Sequence, residues 1–110
     1  MYNNLVKDLL SKIKIEDGNI YPEQQKYQVK DSFSVVEVYI CDNKVSYRVL
    51  GDAYIMAMVK FLQVKLQHKQ DLKDITLAKL VMDFDLPEVK YRDALQIIEL
   101  IENVNERSTL

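Results

Sequence analysis

The apolar period of this chain changes at one dipeptide, Gly51-Asp52, and that change constrains most of what the chain can fold into. Before it, Val36, Val38 and Ile40 alternate with Val35, Glu37 and Tyr39, and Val45, Tyr47 and Val49 alternate with Ser46 and Arg48. A period of two sends successive side chains to opposite faces of a strand. The intervening Cys41-Asp42-Asn43-Lys44 has the chemistry of a short hairpin turn, because Asp and Asn tolerate positive φ. Two antiparallel strands are therefore predicted within Phe33 to Leu50. After the dipeptide, Ile55, Met56, Val59, Leu62 and Leu66 follow helical spacing and further apolar residues fill other faces. This predicts a largely buried helix, with Asp52 placed to cap its first turn.

The flanking segments complete the pattern. Leu5, Val6, Leu9, Leu10 and Ile13 predict an amphipathic helix over roughly Asn3 to Lys14. Asp17-Gly18-Asn19 stops it, and the polar stretch Tyr21 to Lys26, with Pro22, leads to an edge strand near Tyr27 to Val29. Ile75, Leu77, Leu80, Val81 and Phe84 predict a short helix ending before Leu86-Pro87. A last helix is expected from about Arg92 to Asn105, with Ala94, Ile97, Ile98, Ile101 and Val104 on one face and Glu99, Glu102 and Glu106 mainly on the others. The expected class is α+β: an N-terminal helix, a small antiparallel sheet, and helices packed on one face of it. No internal repeat, low-complexity tract or linker interrupts the sequence, and 110 residues at 48% hydrophobic content suit one domain spanning residues 1–110.

Charge and cysteine content narrow the function classes. Lys+Arg 15 against Asp+Glu 17 gives a net charge of −2 with the cations scattered, so nothing favours a nucleic-acid backbone. One cysteine, Cys41, forms no internal disulfide, and with the single histidine, His68, it cannot complete a zinc or iron-sulfur ligand set. Met1 to Ile15 carries Lys7, Asp8, Lys12 and Lys14 and lacks the apolar run of a signal peptide. The longest apolar stretch, Ala53 to Leu66, is broken by Lys60, Gln63 and Lys65 and is too short to span a bilayer. A soluble cytoplasmic protein without membrane contact is expected.

Two local patterns carry a family resemblance. Tyr47-Arg48-Val49-Leu50-Gly51-Asp52-Ala53 is a strand ending in glycine that feeds a buried helix. Leu86-Pro87-Glu88-Val89-Lys90-Tyr91-Arg92-Asp93-Ala94-Leu95 is a Leu-Pro-x-Val-Lys segment entering the last helix. Together with the order of elements over Val29 to Asn105, they resemble the NifU/IscU-type iron-sulfur cluster assembly scaffolds. The related SufE sulfur acceptors share that fold, and a Gly-Asp before the buried helix is similar there. The Leu-Pro-x-Val-Lys segment favours the scaffold branch.

The resemblance implies four ligand positions, and this chain lacks a thiol or an imidazole at each. The first cysteine of the family falls at Lys30, the second on Asp52, and the histidine and third cysteine on Arg92 and Asp93. A cluster requires soft thiolate or imidazole donors, whereas Lys30 and Arg92 are cations. The chain looks like a degenerate member of the family, with no cofactor and no enzymatic activity expected. The SufE acceptor cysteine lies near the same first position, so that chemistry is absent too.

Each singled-out residue has a plainer reading. Asp52 and Asp93 would act as helix N-caps in a salt-bridged patch with Lys30 and Arg92; alternatively they would hold a hard cation for binding or delivery, although two acids flanked by two cations make a poor site. Cys41 at a hairpin tip is either an ordinary thiol or a sulfur acceptor, and His68 reads as a solvated residue at a helix end. Leu86, Pro87, Glu88, Val89 and Lys90 are either a loop that breaks one helix before the next or, as the resemblance implies, an exposed extended segment bound by a dedicated chaperone. The function that results is a scaffold-like, non-catalytic protein binding assembly partners, a cysteine desulfurase or a chaperone. A repurposed interaction domain is the remaining alternative.

Overall fold

A computed structural model describes residues 2–108. Helix α1, Asn4–Ser11, starts where the Asn3 side chain accepts from Val6 N at 3.0 Å and buries Val6 and Leu9. It ends earlier than the period of its apolar residues suggested. Ile13 lies beyond it, and Ile15–Gly18 winds into a 3-10 turn that leaves Ile15 93% exposed. The reason is tertiary: the turn carries Asp17 to Lys60, as described below.

Strands β1 (Gln25–Lys30), β2 (Val35–Cys41) and β3 (Lys44–Leu50) form an antiparallel sheet in the order β1-β2-β3. Cys41 pairs with Lys44, and Asp42 takes φ 52° in the turn between them, a left-handed value that aspartate accepts more readily than most residues. The register aligns Val29, Val36 and Val49, then Tyr27, Val38 and Tyr47, on the inner face. It aligns Lys30, Val35 and Leu50, then Gln28, Glu37 and Arg48, on the outer face.

Three further helices cover the inner face and one another among the described residues: α2 (Ala53–Gln67), α3 (Leu77–Asp83) and α4 (Tyr91–Ser108). Helix α2 packs on β3, α4 packs on β1 and α2, α1 lies on α2, and α3 on α4. The apolar core runs through Val36, Ile55, Met58, Leu62, Ile97 and Leu100, each at most 1% exposed. This is the α+β arrangement expected from the order of elements. Among the described residues no helix is long and apolar enough to cross a membrane.

Two polar residues lie inside the α2 interface. Lys60 and Gln63 are 5% and 2% exposed, and both reach Asp17 of the 3-10 turn: Lys60 Nζ at 2.9 Å and Gln63 Nε2 at 3.3 Å. Tyr47 Oη and Lys14 N also donate to Asp17, and Gln63 donates on to Val45 O at 2.8 Å. Burial works to raise the Asp17 carboxyl, but these donors outweigh it and hold it below the usual range. Every polar atom in the group thus gains a partner, as a buried charge requires.

Candidate functional site

The junction between β3 and α2 is built around Gly51. A Cβ there would lie 2.6 Å from Ile55 Cγ2 and 3.3 Å from Ser34 Cβ, so only glycine lets the strand end pass so close to the first turn of the helix. Asp52 follows in an extended conformation and accepts from Ile55 N at 3.1 Å, the capping role its sequence position predicts. Its other oxygen meets Lys90 Nζ at 2.6 Å. Burial acts to raise the Asp52 carboxyl, but the Lys90 ammonium and the Ile55 amide hold it below the ordinary aspartate value, and the same contact raises Lys90.

Asp93 comes to the same place from the first turn of α4. It caps nothing; it is 3% exposed, inside the protein beside Asp52. Burial, and then the neighbouring Asp52 carboxyl, push Asp93 up to about 6, against the lowering pull of Lys90 and Arg92. Asp93 Oδ2, Arg92 Nε and Gln96 Oε1 are buried side-chain atoms with no hydrogen-bond partner, all within one turn of the helix. The Arg92 guanidinium lies 3.6 Å above the Phe33 ring, which joins α4 to the β1–β2 loop. That loop is shaped by Asp31, whose Oδ1 accepts from Phe33 N at 2.8 Å and Ser34 N at 2.9 Å; these amides, with help from the Arg92 charge, hold its carboxyl low.

Three of the four positions singled out in the sequence, Asp52, Arg92 and Asp93, therefore converge. Lys30 reaches the same end of the sheet, but it points from the outer face, is exposed, and forms no ion pair among the described residues. The cation that neutralises Asp52 is Lys90, inside the segment read from sequence as a partner loop. Phe33, Asp31 and Gln96 were not singled out. The Asp-x-x-Ser spacing of Asp31 and Ser34 was the one local signal for the loop, and the i, i+3 spacing of Asp93 and Gln96 signals only a shared helix face.

No protein-family model matches this chain, and no curated protein matches it. What the charged end can do follows from its own donors. Cys41 lies six residues along β2 from Val35, roughly 20 Å away at strand rise, and His68 caps the far end of α2, roughly 24 Å from Asp52 at helical rise. Neither the thiol nor the imidazole reaches the site. An iron-sulfur cluster does not fit a set made of a lysine-paired carboxylate, a buried protonatable one and a guanidinium. Among the described residues no group of three His, Cys, Asp or Glu side chains comes together as a metal would need.

The Leu86–Lys90 segment is held at both ends. Leu86 is 6% exposed in the core, and Lys90 is fixed on Asp52. Pro87 is extended as expected, but Glu88–Lys90 closes into a 3-10 turn instead of continuing the extended stretch, because Lys90 must turn back to reach Asp52. The result lifts Val89 to 70% exposure.

Proposed function

We propose that this protein is non-catalytic and scaffold-like, and that it binds a partner of iron-sulfur assembly, a cysteine desulfurase or a chaperone, through the Leu86–Lys90 turn without holding a conventional cluster. The observation that carries this reading is an apolar side chain, Val89, displayed on a turn clamped by a buried leucine on one side and an ion pair of 2.6 Å on the other. A clamped turn loses little conformational freedom on docking, which favours affinity. Phe33 and Leu95, 64% and 53% exposed, add apolar surface on the loop and helix that the Arg92–Phe33 contact joins. The charged residues at the positions where thiolates are required support partner binding over cluster building.

Titration calorimetry against a purified cysteine desulfurase and a purified scaffold-specific chaperone tests the reading. Binding to one of them is expected, and Val89→Asp, an exposed change that leaves the core intact, should weaken it at least roughly tenfold. Absence of binding to both proteins removes the proposal.

A further inference from the structure

The start of α4 concentrates the unsatisfied hydrogen-bonding groups of the interior. Among the described residues, the buried side-chain nitrogen and oxygen atoms without a hydrogen-bond partner are Arg92 Nε, Asp93 Oδ2 and Gln96 Oε1. The other polar group of the interior is complete, since Asp17, Lys60 and Gln63 bond one another. Three orphaned atoms in one place call for one explanation. Residues 92 and 96 are four apart on the helix and residues 93 and 96 three apart, so the three side chains leave one patch of its surface as neighbours. Asp93 and Gln96 are 3% and 8% exposed, and Arg92 Nε is buried although its guanidinium reaches the Phe33 ring. Only a small species fits among them.

The chemistry of the three atoms selects that species. Gln96 Oε1 and an ionised Asp93 Oδ2 only accept, whereas Arg92 Nε only donates and keeps its proton. The missing partner therefore gives two hydrogen bonds and takes one. A metal ion takes none from Arg92 Nε, and the Lys90 and Arg92 charges that act on Asp93 oppose a cation there. An anion meets the Asp52 and Asp93 carboxyls. Turning the Gln96 amide over offers a donor to Asp93 but leaves Arg92 Nε without an acceptor, and so does a proton passed from Asp93 to Gln96. A water molecule answers all three atoms, and buried waters typically make about three hydrogen bonds.

We propose that the start of α4 binds one internal water molecule, which donates to Asp93 Oδ2 and Gln96 Oε1 and accepts from Arg92 Nε. The water supplies a donor to Asp93, which an ionised buried carboxylate requires, at a place where the Lys90 ammonium is engaged by Asp52. It also links two contacts of α4. Arg92 stacks on Phe33 of the β1–β2 loop, and Asp93 lies beside Asp52 at the β3–α2 junction, so the loop and the junction are joined through a chain whose middle member is water. The inference is independent of what binds the Leu86–Lys90 turn.

Deuteron magnetic relaxation dispersion on the full chain counts the waters held for longer than the protein takes to tumble. The expected result is one such water fewer in Gln96→Leu, which is close to glutamine in size and offers no acceptor, than in the parent. Glu99→Gln, at an exposed position of the same helix, should keep the parent's count. A high-resolution crystal structure of the parent should show a single peak within about 3.2 Å of all three atoms. Equal counts in the parent and Gln96→Leu overturn the proposal. So does density in which Gln96 Nε2 bonds Asp93 directly with nothing between them, or a peak at the metal–oxygen distances of about 2.0–2.6 Å. If Gln96→Leu does not fold, the density of the parent decides alone.

Discussion

Asp93 and Asp52 illustrate how position decides the behaviour of two identical side chains. Asp52 receives an ammonium and an amide and stays ionised, while Asp93, buried beside it, is pushed up to about 6. The folded chain therefore holds a proton that the unfolded chain releases between about pH 4 and 6, and stability should rise as pH is lowered through that window. Asp17, Asp31 and Asp52 act in the opposite sense: their folded values lie below the ordinary 3.8, so the stability they contribute is present above that value and is lost as pH falls below it. Thermal unfolding followed by circular dichroism should show a maximum near pH 5. Asp93→Asn should flatten the neutral limb, by on the order of 2 kcal/mol, and leave the acid limb in place. An unchanged neutral limb in that variant would remove Asp93 from the account. Gly51 is the second residue whose role is a matter of space. Ile55 is fully buried and β-branched, so its Cγ2 cannot swing away, and Gly51→Ala should cost about 1–3 kcal/mol in urea denaturation.

At the scale of elements, the 3-10 turn and α2 show what an apolar period does and does not reveal. The period located α2 and its cap, since Ile55, Met58, Val59 and Leu62 are the residues the core requires. Lys60 and Gln63 read in the sequence as interruptions of an apolar stretch, yet both are buried, because Asp17 comes from more than forty positions away to satisfy them. A local pattern carries no trace of such a partner. The same contact explains why α1 stops short of Lys14. Asp17→Asn leaves the Lys60 ammonium buried without its anion and should cost about 3 kcal/mol, whereas Lys60→Met, which leaves Asp17 its other donors, should stay within about 1 kcal/mol of the parent. The double variant should recover most of the loss, and chemical denaturation of all three chains measures it. If the single and double variants lose equally, the pair is not coupled.

Across the whole molecule, the order of elements and the layer arrangement were legible because each rests on a period or a turn residue. The convergence of Asp52, Arg92 and Asp93 was legible only through the family resemblance. The pairing of Asp52 with Lys90 was not, since Lys30 and Lys90 are equivalent as letters and only the outward face of Lys30 in the β1 register separates them. The long separation of Cys41 and His68 from the charged end has a direct consequence. Anaerobic incubation of the protein with ferrous iron and sulfide should give no absorption of a site-bound cluster, and Asp52→Ala and Asp93→Ala should not alter that outcome. A stoichiometric cluster spectrum lost in either variant would contradict the assignment.

The contact between Asp52 and Lys90 also closes the chain into a ring: the polypeptide leaves the sheet at residue 52, travels through α2 and α3, and is fastened back at residue 90. Within that ring α3 buries only Leu80 along its length and is entered through a stretch after His68 that is exposed except where Leu72 and Ile75 turn into the core. The clasp fixes the position of the Leu86–Lys90 turn whatever route the chain takes to reach it. Residues inserted among the exposed positions 69–71, ahead of the buried Leu72, change the circumference of the ring but not the place where it is fastened, so this short stretch is where the ring best tolerates a change of length.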